Sequence, residues 1–193
     1  MRRLALGLLA ICAVAPHAAA HNIKPDRELV IQFDARGGVA MWQVTIGGPQ
    51  AVVMLAAADL DHDGRLSEGE RVALAVSLLS KAVRGVALSW DDAPLAQAEL
   101  KPRLDAGDRT LTARGLVELK LPEGCGTHRL GVALEARVPP LGVDVQAISG
   151  WRLEGVSIGG VAEGAHLTAA VALAPGDHLE VRVAARCEPA VPR

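Results

Sequence analysis

"DLDHDGRLSEGE", Asp59 to Glu70, decides how the rest of the chain is read. Three aspartates alternate with other residues, Gly64 follows the third, and Glu70 closes the run. Carboxylates this dense repel one another unless a cation sits among them. The stretch also interrupts a helical pattern. Before it, "PQAVVMLAAA" (Pro49–Ala58) opens with a proline acceptable in a first helical turn and holds no glycine. After it, "EGERVALAVSLLSKAVRG" (Glu68–Gly85) sets Val72, Ala75, Val76 and Leu79 at i, i+3, i+4 and i+7, with Gly85 as a stop. Residues 49–84 are therefore predicted as helix, acidic loop, helix.

Outward from this hairpin the period changes to that of strands. "ELVIQFD" (Glu28–Asp34), the "ARGG" turn and "VAMWQVTI" (Val39–Ile46) read as a β-hairpin. Past Gly85, "VALSW" and "LAQAELKP" flank a turn at "DDAP" (Asp91–Pro94). "RTLTARGLVELKLP" (Arg109–Pro122) alternates at Leu111 and Ala113, then at Leu116, Leu119 and Leu121, which implies a slip near Gly115. "HRLGVALEARVPP", "VDVQAISGWRLEGVSI", "AHLTAAVAL" and "DHLEVRVAA" follow between Gly and Pro turns. Eight or nine strands with one helical insertion predict a mainly β (α+β) fold. The expected architecture is a single antiparallel β-sandwich domain, residues 21–193, carrying the helix–loop–helix at about 49–84.

The first twenty residues belong to a different problem. A basic "MRR", the apolar "LALGLLAICAV" and the small residues Ala18 to Ala20 have the form of a secretory signal peptide, residues 1–20. The expected location is periplasmic or secreted. The apolar run is too short to span a bilayer, and the later "VSIGGVAEGAHLTAAVALAPG" is broken by Glu163 and His166, so no transmembrane segment is expected after cleavage. Loss of Arg2 and Arg3 takes the formal charge from −2 to −4. With no basic stripe to neutralise phosphates, nucleic acid is not an expected partner. Of the three cysteines, Cys12 leaves with the signal, and Cys125 and Cys187 remain as an even pair in an oxidising compartment. A structural disulfide between them, closing so long a loop, would stabilise the fold by about 4 kcal/mol on the chain-entropy account.

Spacing assigns a role to each loop residue. Asp59, Asp61 and Asp63 occupy positions 1, 3 and 5 and direct carboxylate oxygens at one centre. Gly64 permits the sharp turn at position 6. Arg65 at position 7 has only its backbone carbonyl to offer, because a guanidinium holds no acceptor. Ser67 at position 9 ligates directly or through a water, and Glu70 at position 12 supplies two oxygens. An oxygen-only, roughly seven-coordinate shell suits Ca²⁺ and is too large and flexible for Mg²⁺. Ser67-x-x-Glu70 also fits a capping box at the start of a helix.

The stretch resembles the EF-hand loop at every defining position, with a helix on each side. The resemblance implies calcium as the bound ion, held by Asp59, Asp61, Asp63, Arg65, Ser67 and Glu70. No second D-x-D-x-D-G run occurs in the 193 residues. A lone hand is expected to pack on the sandwich and to stabilise the fold rather than switch it. More loosely, the chain resembles the extracytoplasmic domain of hydrogenase- or urease-accessory-type bacterial membrane proteins. The shared order is His21 and Pro25 near the export site, a strand pair, the acidic loop with its helix, then "GVALSWDDAPL". No counterpart of their membrane portion is found within these residues, and metal transport is not carried over.

Other candidates carry less. His21 would become the N-terminus and has an amine and an imidazole for copper, yet His62, His128, His166 and His178 stand singly, without metal-ligand spacing. Asp91-Asp92 falls where a hairpin turn belongs, and Asp105 and Asp108 flank Gly107 in another. No nucleophile–base motif, P-loop or dinucleotide fingerprint is present. The expectation is a non-enzymatic, exported calcium-binding protein that presents its sandwich surface to an unknown partner, for which a protein is one candidate. An exported enzyme with structural calcium, or a transition-metal accessory protein using His21, are the alternatives.

Overall fold

A computed structural model describes residues 26–185 apart from 36, 96–98, 123–124 and 165–170. Twelve strands and two helices follow one another in the order β1 (Arg27–Asp34), β2 (Gly37–Gly47), α1 (Gly48–Ala58), α2 (Glu68–Val83), β3 (Val86–Trp90), β4 (Ala93–Pro94), β5 (Lys101–Gly107), β6 (Thr110–Leu119), β7 (Gly126–Leu134), β8 (Leu141–Ala147), β9 (Trp151–Ile158), β10 (Val161–Gly164), β11 (Val171–Leu173) and β12 (His178–Ala185). They form two six-stranded sheets, ordered β11-β8-β1-β2-β6-β5 and β10-β9-β12-β7-β3-β4. The expected mainly β sandwich with a helical insertion is the observed fold.

Period-2 alternation builds both sheets. In β1, Leu29, Ile31 and Phe33 are fully buried while their neighbours face outward, and in β12 Leu179, Val181 and Val183 do the same. Facing rows from the two sheets make one core. Three of the four aromatic side chains meet at one end of it. Phe33 lies 5.5 Å from Trp90 and 5.3 Å from Trp151, which joins the two sheets.

The helical pair fills out the same core. Ala51 of α1 and Ala75, Leu78 and Leu79 of α2 share it with Leu104, Leu111 and Ala113 of the first sheet. α2 packs on β2, β5 and β6, and α1 on β2 and β6. The end of α2 is fastened by Arg27, a buried guanidinium on β1. It donates to the carbonyls of Ala82 at 2.9 Å and Pro139 at 2.8 Å, with longer contacts to Arg84 and Pro140. Burial lowers the pKa of this group, and the cluster of carbonyl dipoles gives the charge its partners.

Several expectations are corrected in detail. The buried stripe of α2 is Ala75, Leu78, Leu79 and Ala82, whereas Val72 and Val76 are 39% and 46% exposed. β6 has no slip: Leu111, Ala113, Gly115, Val117 and Leu119 all face inward in continuous register with β2, and Leu116 faces out. Gly115 is needed where it stands, because the side chain of Leu100 lies over it and a Cβ would sit 2.4 Å from that side chain. Asp105 lies within β5 and not in a turn. "VDVQAISGWRLEGVSI" is two strands, β8 and β9, in different sheets, and β8 pairs parallel to β1. Cys125 immediately precedes β7; its expected partner Cys187 lies outside the described residues, as do the signal segment, His21 and His166.

Candidate metal centre

The loop between the helices is shaped from both ends. At the end of α1 the Asp59 N–H donates to the Leu55 carbonyl at 3.2 Å, closing the last turn. At the start of α2, Ser67 and Glu70 form the reciprocal capping box that their spacing allows. Between them Gly64 adopts φ +81°, which lets the chain fold back over the aspartates.

Asp59, Asp61 and Asp63 converge as expected. Each has a carboxylate oxygen within 4.8 Å of one from the other two. Hydrogen bonds from the backbone to these carboxylates hold the loop in shape. Gly64 N–H donates to Asp59 Oδ2 at 2.9 Å, Asp63 N–H to Asp61 Oδ1 at 3.3 Å, and Arg65 N–H to Asp63 Oδ1 at 2.7 Å. Asp59 Oδ1 is different: it is shielded from solvent and has no hydrogen-bond partner. The indole N–H groups of Trp42 and Trp90 share that condition in the core, but only Asp59 is a carboxylate. A desolvated anionic oxygen without a donor is costly, and a cation removes the cost. The donor set is all oxygen, which suits a hard cation.

The electrostatics agree. The Asp63 N–H lowers the pKa of Asp61, but the negative charge of Asp63, followed by desolvation, a side-chain contact with Asp59 and the charge of Glu70, raises it above its ordinary value. Crowded like charges make the ionised loop unfavourable on its own. Glu70 folds back onto the backbone of the loop and onto Ser67. Its Oε1 accepts from Leu60 N–H at 2.6 Å, and its Oε2 accepts from Ser67 N–H at 2.8 Å and Ser67 Oγ at 2.7 Å. The Ser67 hydroxyl leads these contacts in holding the Glu70 carboxyl below its usual range. Three aspartates are thus gathered, while Ser67 and Glu70 engage each other and Arg65 contributes an N–H to Asp63.

One polar pairing was not legible in the sequence. His128 Nδ1 lies 2.8 Å from Asp91 Oδ2, and the ring stacks on Trp90 at 5.1 Å. Asp91 Oδ1 accepts from Arg129 N–H at 2.8 Å. Asp91 and Asp92 form the expected turn, at φ +48° and +67°. These contacts pin the β3–β4 turn onto β7. The Arg129 guanidinium pairs with Asp92 in the same turn, and the position of these contacts explains them as a clasp.

No protein-family model matches the chain, and no curated protein is significantly similar to it. Among the described residues no helix is long and apolar enough to cross a membrane.

Proposed function

We propose that the protein is an exported calcium-binding module in which one loop holds Ca²⁺, mainly to stabilise the fold, and the sandwich serves an interaction with a protein partner. The observation that carries this reading is Asp59 Oδ1, a buried carboxylate oxygen without a donor beside two further aspartates. Asp59, Asp61 and Asp63 would give side-chain oxygens, Arg65 its carbonyl and Ser67 a direct or water-mediated contact. Glu70 would close the shell, giving up part of its cap on α2. The ion would supply positive charge to a loop that otherwise repels itself.

A stabilising role is supported by how α2 is held. Its inner face is buried in the core and its last turn is fastened through Arg27, so opening of the hairpin would break both. Extracellular calcium modules bind with dissociation constants of about 10⁻⁴ to 10⁻³ M. At millimolar calcium such affinity adds about 0.4 to 1.4 kcal/mol of stability. Titration calorimetry of the purified protein against its Glu70→Gln variant tests the assignment. A sharp drop in calcium affinity with an unchanged far-ultraviolet spectrum is expected, and unaltered binding would remove Glu70 from the shell.

A further inference from the structure

A groove of about 380 Å³ runs between α1, the acidic loop and the β5 end of the first sheet. Val52, Leu55 and Leu66 give it an apolar floor, Arg65 and Arg71 line its walls, and Ala106 of β5 closes the far side. Ala106 sits on the face of β5 that is buried at Leu104, yet it is exposed because the groove opens there. Among the described residues β5 is the last strand of its sheet and pairs on one side with β6.

The backbone of that free edge is partly covered. Arg71 donates to the Leu104 carbonyl at 2.9 Å, which shows that the groups of Leu104 point away from β6. Alternate residues of an antiparallel edge point the same way, so Pro102 and Ala106 share that direction. Pro102 has no N–H to offer, and Arg71 covers Leu104. Ala106, beside the groove, is left with both its N–H and carbonyl directed outward.

We propose that this groove receives an extended peptide segment of a partner protein, one that carries an apolar side chain next to a carboxylate. The apolar side chain would rest between Val52, Leu55 and Leu66, and the backbone would pair with Ala106. The carboxylate would meet Arg65 and Arg71, neither of which pairs with an acidic side chain among the described residues. Basic peptides are disfavoured by the same two guanidinium groups. Asp59 also lines the groove, and the loop beside it carries Asp61, Asp63 and Glu70. Without an ion this charge repels an acidic segment; calcium cancels half of it and the two guanidinium groups offset the rest, leaving them as the charges that meet the segment inside the groove. The calcium dependence therefore rests on the proposed ion site, whereas the groove itself does not.

The probe is a fluorescein-labelled octapeptide of alternating leucine and aspartate, followed by fluorescence anisotropy in millimolar calcium and in chelator. The control peptide has lysine for aspartate. Saturable binding of the acidic peptide in calcium is expected, weakened at least about tenfold by Arg71→Gln and by Ala106→Trp, with no binding of the lysine peptide. Neither Arg71 nor Ala106 is a proposed calcium ligand, so calorimetric calcium uptake should survive both substitutions. Absent binding of the acidic peptide, equal binding of the lysine peptide, or binding unaffected by both substitutions overturns the groove while calcium uptake persists. Binding that is equal in chelator, with no calcium uptake in calorimetry, would instead leave the groove standing and overturn the ion.

Discussion

Asp91 shows how much a single carboxylate does for the turn it stands in. Its turn places two aspartates at positive φ, a conformation more natural to glycine or asparagine. The cost is met by side-chain bonds to Arg129 N–H and to His128. Partial burial pushes its pKa up, but those bonds and the nearby positive charges outweigh it and hold the group below its ordinary value. A carboxylate whose folded pKa is depressed stabilises the fold above its unfolded pKa of about 3.9, and the gain is lost as pH falls through the folded value. Asp91→Asn keeps the turn and the acceptor for Arg129 but cannot ionise. Urea denaturation across a pH series should show the variant less stable at neutral pH, with the gap closing as pH falls from the unfolded value of about 3.9 through the lower folded one. A constant gap at all pH values would show that the charge contributes nothing. Of the six loop residues named from spacing, the three aspartates converge. The Ser67–Glu70 engagement was legible as a capping box. Which oxygen would be left buried and unpaired was not, because it depends on the atomic path of the loop.

At the scale of the element, α2 was correctly placed, yet its inner face was set wrongly by part of a turn. Val72 and Val76 are as apolar as Leu78 and Leu79, so hydrophobic periodicity alone leaves the buried direction ambiguous. Packing on β5 and β6 resolves it in favour of the leucines. Leu79→Ala should cost about 2 to 5 kcal/mol, the range for truncating a buried leucine, while Val76→Ala should stay within about 0.5 kcal/mol. Urea midpoints of the two variants check this, and comparable losses would mean that both faces are covered. The register of β6 misled for a related reason. Leu116 is an apolar residue on the outer face, and Gly115 an inward one that makes room for Leu100, so the alternation looked broken where it is continuous.

For the molecule as a whole, the sandwich was legible because each strand alternates and Gly and Pro punctuate the chain. Sheet membership was not. The parallel pairing of β1 with β8 joins Glu28 to Gly142 and Phe33 to Ala147, and no local pattern signals a partner so remote in sequence. The same holds for the clasp between His128 and Asp91. What unites the molecule in the proposed account is the placement of the acidic loop. α2 begins at the loop, runs through the shared core and ends at the carbonyls held by Arg27, so ordering the loop supports a helix already committed to the sandwich. Equilibrium dialysis of the purified protein against calcium, copper and nickel, with elemental analysis, decides which ion the loop holds. The account requires calcium at one ion per chain, lost in the Asp59→Ala variant while the fold persists. Retention of calcium by that variant, or copper or nickel bound in place of calcium, would contradict it.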